Sequence, residues 1–431
     1  MGRMTFSYHG SLPASKSMLN RLLLIQYYFS NMNSVMSSLP PPKTFGGKLQ
    51  QGSPELHEIP AFAGMTAQFQ IEGDSQCDDV LLMRKGLESL KANTPIDCGA
   101  AAFVFRHLVL AASRIPGKHL LRGTSRLLGR PHEPVQSILR HLGVSVQITE
   151  DSWMVISEGW KQPTLPLRIE TNVSSQFLSA VILNAWQLPF DLHLLPSGDA
   201  VSEGYTAMTI ELAKRAGMKF QFDSNKMILA AQQTPLAGTY SVESDVSSAF
   251  AVCSLATVAG EAIIQNYPHE SLQPDRIFPE LLKVLGANVA IDGDKLCVRQ
   301  KTKMLSPLRW NFRNTPDLFP IAAILCGLAR GTSSLVGAPH LAHKESDRIL
   351  KTAQLLQKMG CPTRRRDSGL DIMGQGMAFG AKAVEFDPDD DHRLVMAAAI
   401  ANAAGHKIKV HNKECVRKSF PEFLEIAKEY L

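Results

Sequence analysis

Clusters of serine, lysine and arginine residues stand at the starts of apolar segments, and these residue types suit the binding of anions. In the first cluster, SKSMLNR, Lys16, Ser17 and Arg21 lead into an apolar run at residues 22–25. A helix that begins here presents free backbone N–H groups and the positive end of its dipole. With two added cations, the segment suits a phosphate or a carboxylate. For this segment alone, an ordinary capped helix with solvated charges stays an open alternative.

Further polar clusters precede apolar helical patterns along the whole chain. They are SRLLGRP from residue 125, NVSSQ from 172, SEGY from 202, PD at 316–317, HKESDR from 343, DPDDDHR from 387 and VRKS from 416. Ser, Asp and Asn at helix starts are commonly caps. If the helices of two domains point their N-termini at one cleft, however, these cations converge on it: Lys16, Arg126, Arg130, Lys344, Arg348, Arg393 and Lys418.

Such a cleft can hold more than one anionic group. Asp317 and Glu345 are then carboxylates in a cationic field, where they are suited to proton transfer. The DPDDDH run has no matching distal ligand and is more typical of a turn with a cap than of a metal site. We therefore expect no metal.

The composition describes a globular protein that binds small anions. The chain has 431 residues, which predicts two domains, with 45% hydrophobic residues and a net charge of +5. It has no basic stripe interleaved with aromatic residues, so we expect no nucleic-acid partner. The seven cysteines form no CxxC pair, which argues against a disulfide framework and a thiolate zinc site. Gln26 interrupts the short run LLLIQYYF, so we expect neither a signal peptide nor a membrane span, and a cytoplasmic protein.

A unit of amphipathic helix, glycine and β-like strand recurs and must position these clusters. Its helices end at Gly143, Gly217, Gly286 and Gly360, where a left-handed cap leads into a strand. Residues 80–92 and 420–431 are degenerate copies. Six copies predict an α/β protein with two domains of three subdomains each.

We expect one domain from residues 1–13 plus 239–431, because a turn near residue 238 restarts the pattern. The other domain spans residues 14–238 and has one shortened subdomain. Residues 31–67 are rich in Pro, Gly and Ser and lack periodicity. They predict a flexible insertion between the first helix and the strand FQIEGD.

The motifs LPASKSMLNR, GRP, SSQFL, PD, KESDR, DHR and KSFPEF, in this order, resemble those of the enolpyruvyl transferases. Within that family, they resemble the 3-phosphoshikimate 1-carboxyvinyltransferases. The resemblance implies a two-domain inside-out α/β barrel in which each domain has three βαβαββ subdomains. It implies transfer of the carboxyvinyl group of phosphoenolpyruvate to the 5-hydroxyl of shikimate 3-phosphate, in chorismate and aromatic amino acid biosynthesis. It also implies no cofactor, and we expect a monomer.

The matching motifs also imply the roles of individual residues. Residues expected to bind shikimate 3-phosphate are Ser17, Arg21, Ser174, Ser175, Ser202, Tyr205, His340 and Lys344. Residues expected to bind phosphoenolpyruvate are Lys16, Ala102, Arg130, Gln176, Arg348, Arg393 and Lys418. Asp317 would accept the proton of the 5-hydroxyl, while Glu345, together with Lys16, would protonate the methylene carbon of phosphoenolpyruvate.

The chain departs from the family pattern at AAAFVFR, residues 100–106, and at His340, where the family commonly has Asn. Ala102 replaces a glycine that lets the backbone approach a ligand, and Phe103 replaces a small polar residue. The smaller pocket predicts that glyphosate, which is longer than phosphoenolpyruvate, inhibits this protein poorly.

Two alternatives stay open. One is transfer to UDP-N-acetylglucosamine, although the enzymes with that activity usually carry a cysteine that residues 126–130 lack. The other is an impaired paralogue that only binds anions. The charged residues Lys16, Asp317, Glu345, Arg348 and Arg393 are all present, which favours an active enzyme.

Overall fold

Short strands alternate with helices along nearly the whole chain, and a computed structural model describes residues 5–37, 68–300, 304–377 and 382–431. The strands are β1 (Phe6–Ser11), β2 (Phe69–Glu72), β3 (Ile96–Asp97), β4 (Gly117–Arg122), β5 (Ser145–Ile148), β6 (Ser152–Ser157), β7 (Leu167–Glu170), β8 (Leu192–Ser197), β9 (Phe220–Asp223), β10 (Lys226–Leu229), β11 (Gly238–Ser241), β12 (Gly260–Gln265), β13 (Asn288–Asp292), β14 (Lys295–Arg299), β15 (Arg309–Asn311), β16 (Arg330–Val336), β17 (Thr363–Arg366), β18 (Gly369–Gln375), β19 (Ala383–Phe386) and β20 (Lys407–Val410).

The helices include several short ones at the chain's turns. The α-helices are α1 (Lys16–Ser37), α2 (Asp78–Ala92), α3 (Ala102–Ser113), α4 (Ser125–Leu128), α5 (Glu133–His141), α6 (Gln176–Leu183), α7 (Glu203–Arg215), α8 (Val246–Ala259), α9 (Phe278–Val284), α10 (Phe319–Gly327), α11 (Arg348–Lys358), α12 (His392–Ala403) and α13 (Phe423–Ile426). Short 3-10 helices span Pro274–Ile277, Pro316–Leu318, Pro339–His343, Lys413–Lys418 and Lys428–Tyr430.

One topology recurs in four sheets. Their strand orders are β1-β12-β14-β13, β3-β4-β6-β5, β7-β8-β10-β9 and β15-β16-β18-β17. In each sheet a parallel pair is extended by an antiparallel hairpin, which is the βαβαββ arrangement. Two further sheets are parallel pairs, β11-β2 and β19-β20. The α/β fold with its repeated subdomains is therefore confirmed, and the short subdomain β11-β2 has an equally short counterpart in β19-β20.

The buried apolar side chains form two separate clusters, one for each lobe. The first contains helices α8, α10 and α12 with the strands that cover them, and the second contains α1, α3 and α6 with theirs. Every residue of α10 is buried, while β7 and β6 alternate between buried and more exposed residues. Helices therefore lie inside each lobe and sheets outside, because only helices apolar on all sides can fill the centre.

The chain passes between the lobes twice, and the two crossings lie side by side. Ser15 N donates to Glu243 O at 2.8 Å and Asp245 N donates to Pro13 O at 2.9 Å. Strand β11 pairs with β2 of the second lobe, so the second crossing comes just after it, at residues 242–245. We propose a domain division at these crossings, with residues up to 13 and from about 242 forming the first domain.

The glycines that follow the helices have the left-handed conformation that the sequence predicts. The φ angles of Gly143, Gly217, Gly286 and Gly360 are 77°, 99°, 97° and 79°. At the end of α2, Asn93 takes this place with φ 52°, because Asn tolerates the left-handed region better than most residues. Each glycine therefore turns its helix into the following hairpin.

Two local predictions are wrong. Residues 31–37 continue helix α1 and are not part of an irregular insertion, and the rest of the predicted insertion, residues 38–67, lies outside the described residues. The pattern at residues 420–431 yields only the short α13 and a 3-10 turn, since Ala427 leaves the helical region at φ −109°. Within the described ranges, no helix combines the length and the apolar character needed to span a membrane.

Candidate active site

A cavity of about 90 Å³ lies between the lobes and is surrounded by residues from both. The predicted residues in its wall are Lys16, Ser17, Arg21, Ala102, Arg130, Ser174, Ser175, Gln176, Ser202, Tyr205, Asp317, His340, Lys344, Glu345 and Arg348. The wall also contains residues that were not predicted as site residues, which are Asn20, Asp79, Phe103, Val173 and His392. Five lysines and arginines therefore surround three carboxylates in one small space.

The first turn of α1 brings Lys16 and Ser17 to the cavity, as the SKSMLNR motif predicts. The helix can begin there because Ser15 N donates outside it, to Glu243 at the crossing between lobes. Lys16 Nζ donates to Asp79 Oδ2 at 2.7 Å. Burial by itself lowers the pKa of Lys16, but the charge of Asp79 outweighs it and the pKa lies above its ordinary value. Lys16 is therefore a cation.

Asp79, in the first turn of α2, holds two lysines from opposite lobes. Besides Lys16, its carboxylate lies 3.4 Å from Lys418 Nζ. Burial raises the pKa of Asp79, yet these lysines outweigh burial and the pKa lies below its ordinary value. In the sequence, an acid in a first helical turn is indistinguishable from one that merely complements the helix dipole, so Asp79 was missed.

Arg348 is the hub of the charged groups in the first lobe. Its Nε donates to Asp391 Oδ2 at 2.8 Å, its Nη1 to Asp317 Oδ1 at 2.7 Å and its Nη2 to Glu345 Oε2 at 3.0 Å. The Arg348 side chain is 1% exposed and Asp391 is fully buried. Burial lowers the pKa of Arg348, but the three carboxylates raise it well above its ordinary value. One planar guanidinium thus orients both proposed catalytic carboxylates.

Asp391 shows what the DPDDDH run does in the fold. Its carboxylate caps α12, accepts from Ser346 Oγ at 3.0 Å and pairs with Arg348. The run is therefore a helix cap tied to the hub. No group of three or more His, Cys, Asp or Glu side chains in the described part of the chain is placed to hold a metal ion.

Glu345 is a carboxylate that cationic side chains from both lobes approach. Arg130 Nη1 lies 3.8 Å and Lys418 Nζ 3.9 Å from its Oε1, in addition to the Arg348 contact. Burial raises the pKa of Glu345, but Arg348, Arg130 and Lys418 together hold it well below its ordinary value. Glu345 is therefore ionised while these cations face it.

Arg393 and Lys418 stand just behind the cavity wall. Arg393 Nη2 lies 3.7 Å from Asp317 Oδ2, and its buried Nε has no hydrogen-bond partner among the described residues. Lys418 Nζ donates to Ala100 O of the other lobe at 2.6 Å. Arg393 therefore contacts the cavity wall at Asp317, and Lys418 contacts it at Asp79 and Glu345.

Serine hydroxyls come from the starts of α6 and α7. Ser202 precedes α7 with a left-handed φ of 55°, and its side chain does not cap the helix. Instead, Ser202 Oγ lies 3.4 Å from His340 Nε2 across the lobes. A non-glycine residue in this region is strained, and such strain is concentrated at functional sites. The hydroxyl that would ordinarily cap α7 is thus directed to the cavity.

The Arg106 side chain forms hydrogen bonds with two residues at the start of α6. Its Nη1 donates to Ser174 Oγ at 3.2 Å and to Gln176 Oε1 at 2.9 Å. Burial, with a contribution from Arg130, holds the pKa of Arg106 well below its ordinary value. The bonds orient the serine and amide groups that sequence patterns assign to the two substrates.

His340, Lys344 and Asp317 lie in the same part of the cavity wall, where burial and neighbouring charges shift the pKa of each. Burial and then Lys344 lower the pKa of His340 to about 3, so its ring is neutral. Burial also lowers the pKa of Lys344, against the charge of Asp317. Burial raises the pKa of Asp317, but Arg348, Lys344 and Arg393 outweigh burial and lower it overall. Asp317 is therefore a carboxylate among cationic groups, and a carboxylate can receive a proton from a hydroxyl.

Comparisons with known proteins agree on one family. The family model for EPSP synthase (3-phosphoshikimate 1-carboxyvinyltransferase) matches residues 51–426. The 3-phosphoshikimate 1-carboxyvinyltransferase of Methanocorpusculum labreanum is 29% identical over 96% of this chain and 93% of its own. That of Syntrophobacter fumaroxidans is 33% identical over 77% of this chain and 78% of its own.

Solved structures show the same fold at lower identity. An EPSP synthase from Acinetobacter baumannii superposes with a TM-score of 0.67 at 19% identity, covering 100% of this chain and 96% of that one. The enolpyruvyl transferase NikO from Streptomyces tendae has a TM-score of 0.67 at 13% identity, with 100% and 95% covered. These two likenesses concern the fold alone.

Proposed function

The chain belongs to the EPSP synthase family, and on that premise we propose that it transfers the carboxyvinyl group of phosphoenolpyruvate to the 5-hydroxyl of shikimate 3-phosphate. The observation that carries the proposal is the charge of the cavity wall. Five cationic side chains face three carboxylates there, and serine hydroxyls lie beside them. Two multiply anionic substrates can replace the ion pairs that now join these groups, while the carboxylates stay available for proton transfer.

We assign the shikimate half of the site to the serines of α6 and α7 and to the start of α1. Ser174, Ser175 and Ser202 offer hydroxyl donors, while Arg21 and Lys344 offer charge. Ser202 supports this assignment, because its backbone is strained although its hydroxyl does not cap its own helix.

We assign phosphoenolpyruvate to the cations that meet at Glu345. Arg130, Arg348 and Lys418 surround that carboxylate from both lobes, and Lys16 and Gln176 line the same wall. Planar guanidinium groups can bind a carboxylate or phosphate in a bidentate way.

The reaction then proceeds through a tetrahedral intermediate. Glu345 donates a proton to the methylene carbon C3, the 5-hydroxyl oxygen bonds to C2, and Asp317 takes the hydroxyl proton. Glu345 next recovers the proton from C3 as the bond between C2 and the phosphate oxygen breaks. The double bond re-forms, and the hydroxyl proton leaves with the released phosphate.

Glu345 can act as an acid because the substrate changes its neighbours. In the present arrangement three cations hold its pKa well below the ordinary value. When phosphoenolpyruvate pairs with those cations, the stabilisation of the carboxylate weakens and its pKa rises. The proton donor is thus formed where the substrate binds.

Both substrates together need more space than the cavity offers. Ligand pockets commonly measure roughly 300–1,000 Å³, against about 90 Å³ here. Contacts between lobes, such as Lys418 to Ala100, hold the wall together. We propose that the lobes separate about the crossings at residues 13–15 and 242–245 to admit the substrates.

We also propose a monomer that works in the cytoplasm. One chain supplies residues on every side of the cavity, which supports a monomer. The seven cysteines are all free thiols, which supports a reducing compartment.

The test is release of phosphate from phosphoenolpyruvate with shikimate 3-phosphate, with UDP-N-acetylglucosamine, or with neither. We expect phosphate release only in the assay that contains both phosphoenolpyruvate and shikimate 3-phosphate. Release only with the UDP-sugar, or binding without turnover, would overturn the proposal. Asp317→Asn should reduce kcat by about 10²- to 10⁴-fold, whereas Asp223→Asn, at an exposed strand end, should leave kcat unchanged.

A further inference from the structure

Phe103, in the first turn of α3, places an aromatic ring in the cavity wall. The guanidinium carbon of Arg21 lies 4.8 Å from the centroid of this ring. The imidazole of His107, one helical turn later, stacks on the same ring with centroids 3.6 Å apart and planes at 20°. A cation and an imidazole thus both contact one phenyl ring at the edge of the site.

Arg21 is buried without a carboxylate to neutralise it. Its Nε donates to Thr209 Oγ1 at 2.7 Å, its Nη1 to Ser17 O at 2.6 Å and its Nη2 to Tyr205 O at 3.4 Å. In the described ranges, Arg21 forms no ion pair, although it is only 1% exposed. Arg348, equally buried, has three carboxylates. The charge of Arg21 is therefore left for an anion from outside the protein.

The phenyl ring supplies part of what a carboxylate would supply. The face of an aromatic ring is electron-rich and attracts a cation most strongly where water is excluded. It stabilises Arg21 without pairing with the guanidinium N–H groups, so the two of its five N–H groups that donate to no protein atom stay available to a ligand. A small polar side chain at position 103 could offer neither the aromatic face nor the same steric support.

His107 supports the ring and adds no charge of its own. Its Nδ1 lies 2.8 Å from Phe103 O, one turn earlier in α3, and the residue is completely buried. Burial, followed by the nearby Arg21, keeps the pKa of His107 well below its ordinary value. The neutral ring braces Phe103 from within the lobe, so the position of the phenyl ring is defined by packing on α3.

We propose that Phe103 is a positioning residue for the shikimate half of the site, which holds Arg21 ready to bind an anionic group of shikimate 3-phosphate. The proposal rests on the function proposed above. It assigns to Phe103 a role in the affinity for one substrate only, because Arg21 belongs to the wall around the serines and not to the cations around Glu345.

The test compares Phe103→Leu with Phe103→Tyr. The leucine variant should raise KM for shikimate 3-phosphate about tenfold, as expected for a desolvated cation–π contact. KM for phosphoenolpyruvate should change by less than about twofold, and the tyrosine variant should restore most of the affinity because its ring offers the same face. Equal rises in both KM values, or no rise for shikimate 3-phosphate, would overturn the proposal.

Phe105→Leu is the matched control. Phe105 lies on the same helix but packs in the core against His132 and Trp153, with centroids at 4.7 and 5.1 Å. It should lower the thermal midpoint more than Phe103→Leu and leave both KM values unchanged. If it reproduces the effect of Phe103→Leu on KM, loosening of α3 explains the result and the proposal fails.

Calorimetric titration with shikimate 3-phosphate separates this proposal from the proposed function. If the wild-type protein binds shikimate 3-phosphate but does not turn over, the function fails, whereas weaker binding by Phe103→Leu still supports the positioning role. If the wild-type protein does not bind shikimate 3-phosphate, both proposals fail.

Discussion

Replacing Arg348 by methionine tests whether one guanidinium holds the charged centre of the first lobe together. The change leaves the fully buried Asp391 without its cation and deprives Asp317 and Glu345 of their shared partner. Breaking a buried ion pair from one side costs about 3–5 kcal/mol, because the remaining charge is left uncompensated. For a lobe of about 200 residues, this loss corresponds to a fall in Tm of roughly 6–20 °C.

The double variant Arg348→Met with Asp391→Asn identifies the cause of that loss. Asparagine is also a good N-cap, so it can still serve α12 while the uncompensated charge is removed. The double variant should therefore be more stable than Arg348→Met alone. The free energy of unfolding is measured by guanidinium chloride unfolding followed by circular dichroism, and Tm is measured by differential scanning calorimetry.

Arg299→Met is the matched control, since Arg299 pairs with Glu261 at 3.0 Å while its side chain is 58% exposed. Exposed pairs contribute about 0–1 kcal/mol, so the control should lose little stability. If Arg348→Met loses no more stability than this control, Arg348 does not hold the buried charges of the first lobe together. The same conclusion follows if the double variant is less stable than Arg348→Met.

Three further predictions concern single groups in and near the site. Glu345→Gln should reduce kcat by about 10²- to 10⁴-fold, because the amide cannot donate a proton to C3. Near-wild-type phosphate release would contradict the assigned role. Burial and Asp317 raise the pKa of Asp275 from 3.8 to about 7. Between these pH values the native state binds a proton that the unfolded state releases, so the free energy of unfolding should fall as the pH rises from 3.8 to about 7. Asp275→Asn should remove this part of the slope in urea unfolding at pH 5 and pH 8, and parallel curves for the two proteins would show that Asp275 does not titrate there. Ala102→Gly should lower the glyphosate concentration needed for half-inhibition, because Ala102 lines the cavity; strong inhibition of the wild-type protein would refute the steric argument.

Much of the fold is predictable from local sequence. The glycines at 143, 217, 286 and 360 all adopt positive φ, because few other residues end a helix in that conformation without strain. Helix α1 begins at Lys16 as its motif predicts. Such features depend on neighbours within a few residues, so the sequence contains their causes directly.

The lengths of some helices were not predictable. Helix α1 continues through residues 31–37, although they lack a regular apolar pattern. In contrast, the periodic residues 420–431 yield only short helical turns. Propensity is a weak guide to where a helix ends, because packing against the rest of the lobe overrides it.

The sequence by itself determined which charged groups exist and which of them begin helices. Only the tertiary structure decided which of these groups pair with one another. Asp79 joins Lys16 to Lys418, from opposite ends of the chain, and Phe103 lies against Arg21. No local pattern encodes these contacts, because Lys16 and Asp79, like Phe103 and Arg21, meet only when separate helices pack within one lobe. Lys418 reaches Asp79 only when the two crossings of the chain bring the lobes face to face. Burial in the folded protein then gives the contacts their strength, since charges interact far more strongly where water is excluded.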